Sequence, residues 1–235
     1  MRRRHVTIAI AWLAACVVVT AADFWDEKEF TDWSDRDVQR MMTDSPWAKR
    51  ITVVFPRPPG TALNDRTPVA GGIGGGAGGG GRGGRGFGGA DGFGQTRQSR
   101  LIVQWRSGLP MRQAIVRGRI GEGGALDPAG RQFLAQRPTG YFIVVAGLPR
   151  PFARLDPAAL AAGARLKRPG KRPIVPIQAA AEAEGNGAVI LYLFPRDDAI
   201  TLADEEVEFV TEIAEASIER TFELEDMVFN GRLEL

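Results

Sequence analysis

Residues Gly71–Gly94 hold sixteen glycines in twenty-four positions. Glycine gives up more backbone freedom on ordering than any other residue and brings no side chain to a core. The run therefore predicts a disordered, Gly-rich loop or linker over residues 70–95. Folding information is left to two pieces, an N-terminal helical segment and strand over 23–69 and an α+β region over 96–235. The expectation is that they pack as one unit.

The N-terminus reads as a targeting segment. Met1–His5 is basic, Val6–Val19 is apolar apart from Thr7, and Thr20-Ala21-Ala22 offers small residues for cleavage, which predicts a signal peptide over 1–22. The apolar run is short for a membrane-spanning helix. Two maturation routes stay open. Cleavage near Ala22 releases the chain to the periplasm or medium. Alternatively Leu13-Ala14-Ala15-Cys16 acts as a lipobox, and a lipid on Cys16 anchors the chain to the envelope. Membrane contact is expected through Cys16 alone, and Val17-Val18-Val19, which prolong the apolar core, favour the first route.

Removing this segment removes His5 and Cys16, the only histidine and cysteine. What remains can form no disulfide, no thiol or histidine-based nucleophile, and no zinc site of His and Cys ligands. Three of the 30 basic residues are Arg2, Arg3 and Arg4, so against 28 acids the exported chain is close to neutral. Its basic isoelectric point is thus no argument for nucleic acid. Arg82-Gly83-Gly84-Arg85-Gly86-Phe87 has the form of an RGG box, but two arginines behind an export signal make a poor RNA ligand. The tract satisfies phosphate-loop glycine spacing trivially and lacks the Gly-Lys-Ser/Thr that would hold a phosphate.

Phe24–Arg50 carries three tryptophans, Trp25, Trp33 and Trp47. Ser34 and Asp37 have capping-box spacing, Asp35 and Asp37 complement the positive end of a helix, and Val38, Met41 and Met42 form one apolar stripe before Ser45-Pro46. Phe24-Trp25, Trp33-Ser34, Val38, Met41 and Ser45-Pro46-Trp47-Ala48, together with Trp105-Arg106-Ser107, Leu109-Pro110, Phe194-Pro195-Arg196, Phe222-Glu223-Leu224, Met227 and Gly231-Arg232-Leu233, form a pattern that resembles a family of uncharacterised exported proteins found mainly in acidobacteria. The resemblance implies export and a shared module, and it carries no activity.

Further along, Ile51–Phe55 predicts a strand, and Leu101, Val103 and Trp105 predict one face of another. Pro110 predicts a helix through Met111, Ala114 and Ile115 that ends before Gly118. Asp127-Pro128 and Asp156-Pro157 predict capped helices over Ala129–Gln136 and Ala158–Ala162, the second closed by Gly163. Tyr141–Ala146 suits a strand covered on both faces. Ile174–Ile177 and Ala188–Phe194 are candidate strands joined across Glu184-Gly185-Asn186-Gly187. Val207, Phe209, Thr211 and Ile213 alternate with a set that includes the acids Glu208 and Glu212, and their β-branched and aromatic content favours strands over the helix that the glutamates of Asp204–Arg220 would support. Asn230-Gly231 predicts a last tight turn. The fold class is α+β, β-rich in its C-terminal half, with short helices and a disordered Gly-rich insertion.

Charge is segregated. Residues 95–173 carry 15 Lys and Arg against 3 acids, and residues 174–235 carry 15 acids against 3 arginines. Such blocks suggest surfaces that face one another. They also single out Arg165, Lys167, Arg168, Lys171 and Arg172 as an anion patch. With His and Cys excluded, carboxylates such as Asp197-Asp198 and Asp204-Glu205-Glu206 are the remaining acid–base candidates, and Asp35-Arg36-Asp37 lacks the frame of a calcium loop. Trp25, Phe30, Trp33 and Trp47 read as core anchors before they read as a ligand groove. No catalytic residue, metal or cofactor is assigned. The function expected is a non-catalytic binding or interaction module meeting an envelope protein or anionic polymer. The alternative is a carboxylate-dependent extracellular glycan hydrolase.

Overall fold

A computed structural model describes residues 23–55 and 97–235. The signal segment, Cys16 and the glycine tract lie outside the described residues. The first piece contains helix α1 (Phe24–Glu27), a 3-10 turn (Phe30–Asp32), helix α2 (Asp35–Thr43) and strand β1 (Ala48–Phe55). The second runs β2 (Arg97–Trp105), α3 (Leu109–Ile120), α4 (Pro128–Ala135), β3 (Tyr141–Pro149), α5 (Pro157–Gly163) and β4 (Arg165–Lys167). It ends with β5 (Gln178–Glu184), β6 (Gly187–Phe194), β7 (Glu206–Ile213), β8 (Ala216–Glu223), β9 (Val228–Phe229) and β10 (Arg232–Leu233). The fold is α+β and β-rich towards the C-terminus.

The capping box forms in α2. Ser34 Oγ accepts from the Asp37 amide at 3.2 Å, and the Ser34 amide donates back to the Asp37 carboxylate at 3.1 Å. The Asp-Pro signals likewise start α4 and α5, where Asp127 and Asp156 accept from first-turn amides. Burial holds Trp25, Trp33 and Trp47 in the core, with Phe24 and Trp25 and then Trp25 and Trp47 meeting edge to face. The core-anchor reading of this aromatic set therefore holds for the tryptophans, while Phe30 is half-buried.

Antiparallel pairing builds a five-stranded sheet in the order β1-β2-β3-β6-β5 and a three-stranded sheet in the order β4-β7-β8. Their inner faces stack. Trp105 meets Phe222, Phe194 meets Phe209, and the Tyr192 and Thr211 hydroxyls lie 2.8 Å apart. Burial in that layer pushes the Tyr192 hydroxyl up to about 12. Val207, Phe209, Thr211 and Ile213 point inward as their alternation predicts, and after a 3-10 turn ending at Asp204 the span forms the strands β7 and β8 and not a helix. In β3, Tyr141, Ile143 and Val145 face this core while Val144 and Ala146 are buried on the other side. Gly147 then bulges the strand at φ 87°, where a Cβ would lie 2.7 Å from the Arg100 carbonyl oxygen.

Three local expectations need correction. Gly118 lies inside α3, which runs on to Ile120 and stops at Gly121 with φ 73°. Gly163 is the last residue of α5 and not its stop. Ile174–Ile177 is not a strand: Ile174 makes a single bridge to Leu166, Val175 and Ile177 are exposed, and the alanine-rich Gln178–Glu184 pairs with β6 instead. Apolar content misled there, because β5 is an edge strand with little to bury. The turn across Gly185-Asn186 falls where its sequence placed it.

Candidate functional site

The patch proposed from sequence is largely matched by the acidic block. Lys167 Nζ is 3.0 Å from Glu208 Oε2 across the β4–β7 pair. Arg168 is buried and donates to the Asp198 carboxylate and the Arg172 carbonyl. Lys171 Nζ lies 2.5 Å from Asp204 Oδ1. Arg165 is turned back on the chain, donating to the Ala162 and Ala164 carbonyls at 2.7 and 2.6 Å. Arg172 is exposed, and its side chain makes no ion pair among the described residues.

These pairs fix the charge state of the acids. The hydrogen bond from Arg168 holds Asp198 below the ordinary carboxylate range, and reciprocally raises Arg168. Burial alone would raise Asp204. Hydrogen bonds from Lys171 and the Thr201 amide, with the charges of Lys171 and Arg168, outweigh it and hold the carboxyl low. Neither acid is poised to give up a proton near neutral pH. Among the described residues no group of three or more Asp or Glu converges as a metal site.

A different cation cluster lines a cleft on the far side of the five-stranded sheet. One recess, of about 370 Å³, lies between α3, α4 and the outward face of β3 and β6. Its apolar lining is Ile115, Phe133, Phe142, Val144 and Leu191, and its rim carries Arg106, Arg112 and Arg137. A second recess, of about 570 Å³, shares Ser107, Arg112, Gln136, Arg137 and Pro138 with the first and adds Arg196, Arg232 and Glu234. Such volumes suit small-molecule sites.

Local structure explains how the arginines come together. Arg106 follows β2 directly, and its Nε donates to Gln104 Oε1 at 2.8 Å. The α3 helix presents Arg112, which is buried, donates to the Phe133 carbonyl and stands 4.9 Å from the Phe133 ring centre. Arg196 lies 4.4 Å from the Tyr141 ring centre and donates to the Leu235 carbonyl. Arg137 lies just past α4, and Arg232 opens β10. Glu234 closes the other wall. Its carboxylate accepts from the Leu109 amide at 3.2 Å, at the start of α3, and its carbonyl accepts from Trp47 Nε1 at 2.6 Å. Gly108 permits this approach, since a Cβ there would lie 2.9 Å from both the Glu234 carbonyl oxygen and the Trp47 ring.

Electrostatically the cleft is under-neutralised. None of the five arginines lies within ion-pair distance of an Asp or Glu among the described residues. Burial lowers Arg106, Arg112 and Arg196 from their ordinary value, against the opposing charge of Glu184 on Arg106, of Glu234 on Arg112, and of Tyr141 and then Glu234 on Arg196. Partly desolvated guanidinium groups with no carboxylate side chain at ion-pair distance favour an anion that comes closer. Sequence reading passed over all five because they are scattered from 106 to 232. Comparison of the chain with protein-family models, with curated proteins and with solved structures returns no match.

Proposed function

We propose that this chain is a non-catalytic binding module, exported to the envelope or beyond it, whose partner presents an anionic group to the arginine-lined cleft. One observation carries the reading: Arg106, Arg112, Arg137, Arg196 and Arg232 line two joined recesses in which Glu234 is the single acidic side chain, with Arg196 alone donating to the main-chain oxygen of Leu235. Export rests on the N-terminal segment. The hydrolase alternative calls for two carboxyls facing each other across a cleft, and Glu234 is already engaged at the start of α3.

The test is retention on a sulfated, heparin-type matrix at low salt. The exported chain should bind and elute as salt rises, and a paired Arg137→Ala, Arg232→Ala variant should elute markedly earlier. A paired Lys167→Ala, Arg172→Ala variant should elute close to the parent. Flow-through of the parent at low salt, or equal loss from both pairs, would refute the assignment.

A further inference from the structure

The lining of the cleft narrows the ligand further, and this step rests on the binding reading just given. A rigid polyanion would bring charge to every part of the surface, yet the smaller recess is walled by Ile115 and Phe133 over a floor of Phe142, Val144 and Leu191. A neutral apolar ligand would fill that recess and leave the neighbouring guanidinium groups without a counter-charge. Arg112 and Arg137 belong to both recesses, so the apolar surface and the charged surface are continuous. Phe133 is 39% exposed at the edge of the apolar part, a large side chain left open to solvent where a hydrocarbon could cover it.

We propose that the cleft takes a single-headed amphiphile: an alkyl chain of the fatty-acid class ending in an oxyanion, carboxylate or phosphate. The chain lies on Phe142, Val144 and Leu191 between Ile115 and Phe133, and the head sits between Arg112 and Arg137. The shape of the site separates the two contributions. Each methylene taken from water should tighten binding about fourfold until the recess is full, while the head contributes charge-assisted hydrogen bonds that a neutral group cannot make.

Calorimetric titration of the full exported chain, with ligands below their micelle concentrations, tests this directly. Decanoate and decyl phosphate should bind, and the tighter of the two identifies the head. Hexanoate and octanoate should follow in order of length. Decyl maltoside and decyltrimethylammonium should bind at least tenfold more weakly. Phe133→Ser should weaken the decyl ligands about tenfold more than it weakens inorganic phosphate, which registers only the loss of the ring beside Arg112, whereas Arg137→Ala should weaken every anion alike. Binding of acetate or inorganic phosphate with no gain from chain length would overturn the amphiphile while leaving the anion-binding function standing. Equal binding of neutral and cationic decyl compounds would overturn the head-group assignment. Failure of every ligand, joined to flow-through on the sulfated matrix, would overturn both.

Discussion

Five basic residues between Arg165 and Arg172 and five arginines between Arg106 and Arg232 carry the same formal charge, yet the fold neutralises them differently. In the first group Lys167, Arg168 and Lys171 each meet an acid of the C-terminal block, at Glu208, Asp198 and Asp204. In the second, the one acidic side chain of the lining is Glu234, occupied with the Leu109 amide. Dense charge along the chain marks a structural seam here, and sparse charge gathered by tertiary contacts marks the surface proposed to bind. Ion pairs that tie β4 and the 195–205 segment together order the chain; the guanidinium groups beside the apolar walls are held by neutral oxygens of Gln104 and Phe133 or, for Arg196, by Leu235.

Several measurements would break or sharpen this contrast. The largest effect is expected at the seam: Asp204→Ala leaves Lys171 and the Thr201 amide without their shared acceptor, at a cost of about 3 kcal/mol in chemical denaturation. A loss below about 0.5 kcal/mol would show that the seam is solvated and interchangeable with the cleft. Next is Gly108→Ala, which drives a methyl into the Glu234 carbonyl and Trp47, so unfolding should be easier by about 2 kcal/mol. Retention of full stability would mean that this wall of the cleft yields.

Acid should distinguish the two regions as well. Asp204 and Asp198 are more acidic folded than unfolded, so on acidification the unfolded chain binds protons first. The stability they contribute is complete above the ordinary carboxylate value of 3.8 and is lost as the pH falls below it. Asp204→Asn should flatten that acid limb of the melting curve. An unchanged limb would place the acid sensitivity elsewhere. The smallest effect on stability is expected in the cleft, where Arg232→Ala should alter unfolding by no more than about 0.5 kcal/mol while shortening retention on the anionic matrix.

Much of the architecture was legible where a local rule was sufficient. The Ser34/Asp37 box, the two Asp-Pro helix starts and the Val207–Ile213 alternation each depend on neighbours within a few residues, and each appears in its expected place. Ile174–Ile177 failed because strand formation there is decided by partners: Gln178–Glu184 has weak propensity but lies alongside β6. Gly118 failed similarly. Its position against Val38, 3.5 Å from where a Cβ would stand, is set by the packing of α2 on α3 and not by helix termination. The cleft was least legible of all, because no stretch of sequence shows that Arg106, Arg137 and Arg232 share a rim.

The pairing of Phe55 with Arg97, at matched positions of β1 and β2, has a practical consequence. The chain leaves the sheet and returns to it at neighbouring points on an edge hairpin, so the connection between them has only to close a gap already bridged by the ladder. Closure entropy grows slowly with length, by roughly 0.6 kcal/mol per doubling. By that arithmetic, changing the length of the connection costs the sheets little closure entropy, provided that Phe55, which packs on Phe152 in the core, is kept.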